Sequence, residues 1–410
     1  LSLSVIIINY NVKYFLEQCL LSVKKAIKNI NGEIIVIDNN STDESFSFFQ
    51  NRFPEVHFIW NKTNNGFAKA NNQALKIAKG EYILFLNPDT IVPEDCFEKC
   101  IDFIKKENGA LGVKMLDGAG NFLKESKRVF PSPLTSFYKL SGLAKLFPQS
   151  KTFSKYHLGY LNENENHEVD VLAGAFMMIP KKILNITGGF DEQFFMYGED
   201  IDLSYRIQKS GFRNFYFAGS SIIHFKGEST KKESLNYVKM FYKAMSIFVK
   251  KHYRGSSSGL FIFFIHIAIF LRASFSAIRR LLKWKTVKGD KEGNENSPTG
   301  IAGSVGEYKE VENLLTNAGR KENISGRIKI DETESDNAIG SFDNLENVFR
   351  LHPIKEIIFC EGTLTFKKII ETIPKIPKNI SIQLFSFGSH AIIGSNDKKT
   401  AGNFILKKDN

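Results

Sequence analysis

The chain has 410 residues, too many for one ordinary hydrophobic core, so two or three domains are expected. With 42% hydrophobic and 24% charged residues it reads as a soluble globular protein, and its 37 phenylalanines ask for large cores or membrane contact. A formal charge of +11 favours phosphorylated ligands or an acidic lipid surface, and without zinc-finger spacing or an RNA-binding aromatic motif it gives nucleic acid no specific support as a partner.

Val5–Ile8, Ile34–Ile37, Val56–Trp60 and Tyr82–Leu86 are short β-branched or aromatic runs, predicted as buried strands. Helical patterns lie between them, among them Tyr14–Ile27 and Ala68–Ala78. This alternation predicts an α/β domain with a mainly parallel sheet and helices on both faces. Each apolar run ends in polar residues: Asn9, Asp38, Asn61, then Asn87 with Asp89. Ligands of open α/β sheets bind beyond the carboxyl ends of the strands. One polar strand end is ordinary turn chemistry; four, rich in Asp and Asn, indicate a nucleotide pocket.

Gly255–Gly259 reads as a flexible joint. The apolar run Leu260–Leu271 that follows is shorter than the roughly 20 residues a bilayer span needs. Beyond it Leu271, Phe275, Ile278 and Leu282 line one helical face, with Arg272, Ser276, Arg279, Arg280 and Lys283 on the other. Such a stripe suits an anionic membrane interface, and a helix packed on the preceding domain is the alternative. The expected organisation is a first domain over 1–255, a membrane-associated amphipathic segment over 256–287, a linker over 288–300 and a smaller Rossmann-like α/β domain over 301–410. In that last part Tyr308–Leu315 and Phe342–Arg350 read as helices, and Ile324–Ile330, Ile354–Cys360 and Ile380–Phe385 as strands.

Four cysteines, Cys19, Cys96, Cys100 and Cys360, form no disulfide framework or metal-ligand spacing, which fits a reducing compartment. No secretory leader is visible, and the missing initiator Met suggests a trimmed start. The expected location is cytoplasmic, peripheral at the inner face of the membrane.

Three clusters carry chemistry. Asp38-Asn-Asn-Ser-Thr-Asp43 closes the second strand with a carboxylate able to accept the N3–H of a uracil or thymine ring, while its amides reach the ribose. Asn87-Pro-Asp89 closes the fourth; Pro88 stops the strand and leaves a carboxylate suited to a divalent cation shared with a diphosphate. Glu199, Asp200 and Asp202 crowd together beside Phe194, Phe195, Met196 and Tyr197, so at least one pKa should rise, as a general base requires. A helix N-terminus with dipole-favoured acids is the plainer reading of that cluster.

At these residues the sequence resembles the inverting family 2 glycosyltransferases of GT-A fold, and especially rhamnosyltransferase-type members that build bacterial surface polysaccharides. The matching pieces are Val5–Asn11, Asp38–Asp43, Asn64-Asn-Gly-Phe67 with Asn71, Asn87–Thr90, Gly188–Glu192, Glu199-Asp200 and His224–Ser229, in order over most of residues 1–250. The resemblance implies a nucleotide-sugar donor, UDP- or dTDP-linked, held by Asn9, Asp38, Asn39, Asn65, Gly66 and Asn87. It implies Mg²⁺ or Mn²⁺ on Asp89 and His224, Asp200 as base, and Glu199 and Asp202 on the side of a glycan or polyprenyl-linked acceptor. Asn87 departs from the family's Asp-x-Asp pattern. The last domain is similar to the Rossmann-like soluble module of polyprenyl-phosphate sugar-phosphotransferases at Ala338–Leu345 and Ile354–Phe359. Gly303 and Gly306 fall short of a full G-x-G-x-x-G, leaving nucleotide binding and a docking or regulatory role both open.

Rival functions fare worse. A glycosidase shares the paired carboxylates but needs no Asp-rich nucleotide pocket. A sugar-1-phosphate nucleotidyltransferase should carry a Gly-rich basic loop, which Val5–Asn11 lacks. A nucleotide-sugar-binding scaffold without turnover would be expected to lose its acids, yet Asp38, Asp89 and Asp200 are present.

Overall fold

The structure is a computed structural model that describes residues 1–132, 134, 135, 138, 142–225, 235–253, 297–331, 337–395 and 403–406. The expected membrane-associated segment at 256–287 lies outside them. Among the described residues no helix is long and apolar enough to cross a membrane.

The first sheet begins β1 (Leu3–Asn9), α1 (Lys13–Ile27), β2 (Gly32–Asp38), α2 (Ser45–Phe49), β3 (Val56–Trp60), α3 (Phe67–Leu75) and β4 (Tyr82–Leu86). The order β3-β2-β1-β4 is parallel throughout, with Asn9 beside Asp38 in register. The chain crosses from one side of β1 to the other between β3 and β4. This topological switch opens a crevice beyond the carboxyl ends of β1 and β4.

The rest of the sheet departs from the parallel expectation. After β5 (Thr90–Ile91) and α4 (Cys96–Lys106) come β6 (Gly109–Leu116), the short α5 (Leu143–Leu146), β7 (His167–Val169) and β8 (Phe176–Pro180). Then follow α6 (Lys181–Thr187), α7 (Glu199–Lys209), β9 (Arg213–His224) and α8 (Leu235–His252). β8 runs antiparallel between β4 and β6, and β9 pairs antiparallel with both β5 and β7. Alternating local pattern cannot report strand direction, because a buried strand looks apolar in either sense. One face of the sheet packs Leu16, Leu20 and Phe97 against Val5, Val36 and Leu84; the other packs Ala70, Ala74 and Leu203 against Ile6, Ile35 and Phe85. All four cysteines are buried and free.

The second unit contains β10 (Thr299–Ala302), α9 (Val305–Asn317), β11 (Ile324–Lys329), β12 (Gly340–Ser341), α10 (Leu345–Leu351), β13 (Glu356–Glu361), α11 (Phe366–Thr372), β14 (Ser381–Ser386), β15 (Ala391–Gly394) and β16 (Asn403–Leu406). Its order β12-β11-β10-β13-β14 is parallel, with β15 and β16 added antiparallel. Thr299 and Gly300, expected in a linker, open the first strand. Pro298 already accepts the amides of Lys355 and Glu356, so the unit begins earlier than residue 301.

The switch-point crevice of this second sheet is filled from within. Glu307 on the first turn of α9 accepts Ser304 N at 2.7 Å and Thr363 N at 2.6 Å, while the Ser304 hydroxyl caps the helix in return. A Cβ on Gly303 would lie 2.9 Å from the Glu307 carboxylate, and Gly362 approaches it more closely still. The buried carboxylate stands where a Rossmann fold would offer its helix N-terminus to a phosphate.

The two units share a core. Val12, Phe15, Ile91 and Phe225 of the first belong to one apolar cluster with Ile369, Ile370 and Ile373 of the second. Glu94, in the loop after β5, accepts Phe366 N and Lys367 N at the start of α11, and Asp95 pairs with Lys367 at 2.7 Å. On α1, Gln18 donates to Ala391 O and the fully buried Glu17 pairs with Arg52 and His390. Burial pushes the Glu17 carboxyl up, and the neighbouring Arg52 and His390 oppose the shift.

Candidate active site

The strand ends of β1 and β2 are tied into one polar floor. Asn9 donates to Asp38 Oδ2 at 2.7 Å and to the Ser45 hydroxyl at 3.0 Å, while Asp38 Oδ1 accepts Ser41 N at 2.9 Å. Asp38 and Asn39 are almost fully buried. Asn39 donates to Asn64 Oδ1 at 2.9 Å, and its own amide oxygen accepts Asn65 N at 3.0 Å. This fastens the loop before α3. Gly66 has φ +82°, and a Cβ there would meet Phe195 at 2.7 Å. Only glycine fits that close approach at a positive φ. Phe67 N donates to Phe195 O, so the loop is joined to the segment that leads into α7.

At the end of β4, Asp89 and His224 meet. His224 Nε2 lies 3.3 Å from Asp89 Oδ1 and 3.4 Å from the Asn87 amide nitrogen. The pairing of β5 with β9 enforces this, because Thr90 and His224 are direct cross-strand partners. The two side chains are nearly buried, and His224 Nδ1 has no hydrogen-bond partner among the described residues.

The acidic cluster divides into two environments. Asp200 Oδ2 accepts Arg128 Nη2 at 2.6 Å and Gly174 N at 3.3 Å. Burial lowers the Arg128 pKa, but the charge and hydrogen bond of Asp200, together with Tyr156 and Glu125, outweigh it and hold the guanidinium in its charged form. Glu199 is buried beside them, with Oε2 unpaired among the described residues; burial first and the Asp200 charge second push its carboxyl up to about 8. The crowding predicted from sequence thus raises a carboxyl at Glu199.

Asp202 corrects an expectation. Two residues along a helix rotate a side chain by about 200°, so it faces away from Asp200. It is fully buried against α8, with Arg206 Nε at 2.8 Å, Lys251 Nζ at 2.9 Å and His252 Nε2 at 2.6 Å. Burial alone would raise its pKa; these three partners overcome that and hold it at about 2. Asp202 ties α7 to α8 through these partners.

One stretch of backbone joins the acidic cluster to the Asn87–Asp89 end of β4. Gly174 N contacts Asp200, and the next residue, Ala175, accepts Asn87 N at 3.0 Å. The residues expected to act together are therefore Asn9, Asp38, Asn39, Asn65, Gly66, Asn87, Asp89, Asp200, Glu199 and His224, all at one end of the sheet. Sequence reasoning missed Arg128, Ser41 and Ser45. Arg128 sits in an isolated Lys-Arg pair, and nothing local marks it as the partner of a carboxylate 72 positions away.

Residues 4–185 match the family described as Glycosyl transferase family 2. That match spans a little under half of the chain. The matched span ends before Asp200 and His224, whose placement beside the strand ends of that span comes from the structure. An N-acetylglucosaminyl-diphospho-decaprenol L-rhamnosyltransferase of Mycobacterium tuberculosis is 26% identical over 266 residues, covering 62% of this chain and 85% of the relative. The rhamnosyltransferase WbbL of Escherichia coli is 28% identical over 215 residues, covering 50% of this chain and 78% of WbbL. A crystal structure of S. aureus TarS in complex with UDP-GlcNAc superposes with a TM-score of 0.41 at 20% identity, covering 70% of this chain and 76% of that one. Within the matched span the parallel order β3-β2-β1-β4 agrees with the mainly parallel sheet expected from the alternating pattern.

Proposed function

We propose that the chain transfers a sugar from a UDP- or dTDP-linked donor to a glycan or polyprenyl-linked acceptor, with inversion, in the assembly of a cell-surface polysaccharide. The observation that carries this reading is the backbone bridge from Asp200 through Gly174 and Ala175 to Asn87. It sets a carboxylate base beside the end of the pocket where a donor's diphosphate would lie.

In this reading Asp38, with Asn9 and Asn39, receives the base and ribose, and the loop Asn65-Gly66 closes over them. Asp200 takes the proton of the acceptor hydroxyl as that oxygen attacks the anomeric carbon from the face opposite the leaving group, a contribution on the order of 10²–10⁴-fold. Arg128 fixes the direction of the Asp200 carboxylate. One carboxylate and one imidazole, Asp89 and His224, form a donor set suited to Mg²⁺ or, better, Mn²⁺, with the remaining positions left for diphosphate and water. A bound divalent cation would supply positive charge against the leaving diphosphate.

The relatives' printed activities favour a lipid-linked acceptor and a deoxysugar donor, and the segment 256–287 is proposed to hold the enzyme at an anionic membrane on its cytoplasmic side. Purified full-length protein should release UDP or dTDP from a panel of nucleotide sugars in the presence of Mg²⁺ or Mn²⁺, faster with a polyprenyl-linked acceptor. Tight donor binding without release under any of these conditions would favour the scaffold reading.

A further inference from the structure

Val129 N donates to Tyr156 O, closing a long excursion of chain at its base. That closure is one residue from Arg128 and therefore beside the Arg128–Asp200 pair. Phe130 packs on Tyr205 and Phe248, and Tyr253 Oη donates to Pro131 O, so the excursion is rooted in α7, which carries the acidic cluster, and in the end of α8.

Beyond that root its character changes. Leu134, Leu146 and Phe147 are 57%, 72% and 51% exposed, unusual for large apolar side chains so close together in sequence. Tyr138, Phe153 and Phe147 form a chain of ring contacts with centroids 5.1 and 5.3 Å apart. Lys145, Lys151 and Lys155 are exposed around them. From Ser126 to Asn162 the sequence holds five Lys and one Arg and no Asp or Glu, although the whole chain has 44 acids.

We propose that this excursion is a membrane-contact surface: Leu146 and Phe147 enter the headgroup–acyl boundary of an anionic bilayer while the flanking lysines pair with its phosphates. The occupant follows from the chemistry. Exposed aliphatic and aromatic tips call for an apolar medium, and an acid-free stretch with exposed Lys145, Lys151 and Lys155 calls for negative charge beside it. A nucleic acid would match the lysines and leave Leu134 and Leu146 in water. A second copy of this chain would have to meet the lysines with acids. The contact is separate in sequence from segment 256–287 and lies at the root of the candidate base, so it would present the acceptor side of the pocket to the lipid surface. This rests on the functional reading above only for the nature of that acceptor.

The test uses the full chain carrying Phe147→Trp and vesicles of phosphatidylcholine with phosphatidylglycerol whose acyl chains are brominated. The added tryptophan should be quenched beyond the parental signal, and high salt or Leu146→Glu in the same background should reverse the quenching. Quenching equal to that of the parent, or equal in purely zwitterionic vesicles, would overturn the proposal. So would a dimer in sedimentation that Leu146→Glu dissociates. Because the readout needs no turnover, failure of the glycosyl-transfer reading leaves it intact, and its own failure leaves that reading intact.

Discussion

Arg128 Nη2 stands 2.6 Å from Asp200 Oδ2, joining a residue just after β6 to the first turn of α7. The pair is about nine-tenths removed from solvent, so its geometry is set by the protein and not by hydration.

Asp200→Asn keeps the shape of that carboxylate and removes its ability to take a proton. A kcat loss of about 10²-fold or more is expected, with donor affinity nearly unchanged. Arg128→Gln should lower kcat less and shift its pH profile, because the carboxylate survives but loses its fixed direction. Steady-state kinetics with an acceptor, alongside donor titration by calorimetry, separate the two. Near-normal turnover in Asp200→Asn would transfer the role of base to Glu199.

Glu199 holds its proton up to about pH 8, against 4.5 for an ordinary glutamate. The folded state therefore binds a proton that the unfolded chain has released. Its stabilising contribution is complete below about pH 4.5 and is lost as pH rises through about 8, with each unit of difference equal to about 1.4 kcal/mol. Glu199→Gln cannot ionise and should lose less melting temperature between acid and alkaline pH than the parent. Parallel melting curves across that range would contradict the assignment.

Asp202 gathers Arg206, Lys251 and His252 beneath α8. Removing one partner of a buried ionic group costs about 3–5 kcal/mol. Asp202→Ala should therefore lower the unfolding midpoint markedly, while the protein that remains folded keeps its KM for acceptor. A selective rise in acceptor KM with unchanged stability would restore Asp202 to the acceptor side.

The donor end divides in the same way. Asp38→Asn should weaken nucleotide binding with less effect on the chemical step, since Asp38 is tied to Asn9 and Ser41 away from the acidic cluster. Asp89→Ala should abolish turnover that depends on Mg²⁺ or Mn²⁺, and His224→Ala should weaken it. Full activity of Asp89→Ala in the presence of EDTA would remove the metal from the reading.

Glu307 ties Ser304 N and Thr363 N together at the crevice of the second sheet. Glu307→Ala removes half of a capping box and leaves Thr363 N without that acceptor, which should cost about 1–2 kcal/mol. Titration of the full chain with a nucleoside diphosphate should saturate one site, because the second crevice already holds a carboxylate. Two sites per chain would show that Glu307 moves aside.

The first four strands, their polar ends and the acidic cluster were legible in the sequence because each is a local property. A strand declares itself by β-branched residues, its end by Asp or Asn, and Gly66 by the turn it must make. Strand direction beyond β4 was not legible, since β8 and β9 are as apolar antiparallel as they would be parallel. The first residues of the second unit looked like linker because Thr299 and Gly300 become a strand only beside β11 and β13.

What the sequence alone determined was an inventory: which carboxylates, amides and histidine stand at strand ends, and the family they resemble. Tertiary structure decided which of them share a site. Helical rotation sends Asp202 under α8 while leaving Asp200 facing Arg128, two neighbours in sequence given opposite tasks. Packing also brought Glu307 into the crevice that its glycine-rich start had left open to a phosphate. Contact between groups many residues apart depends on how layers stack, and only the folded chain contains that information.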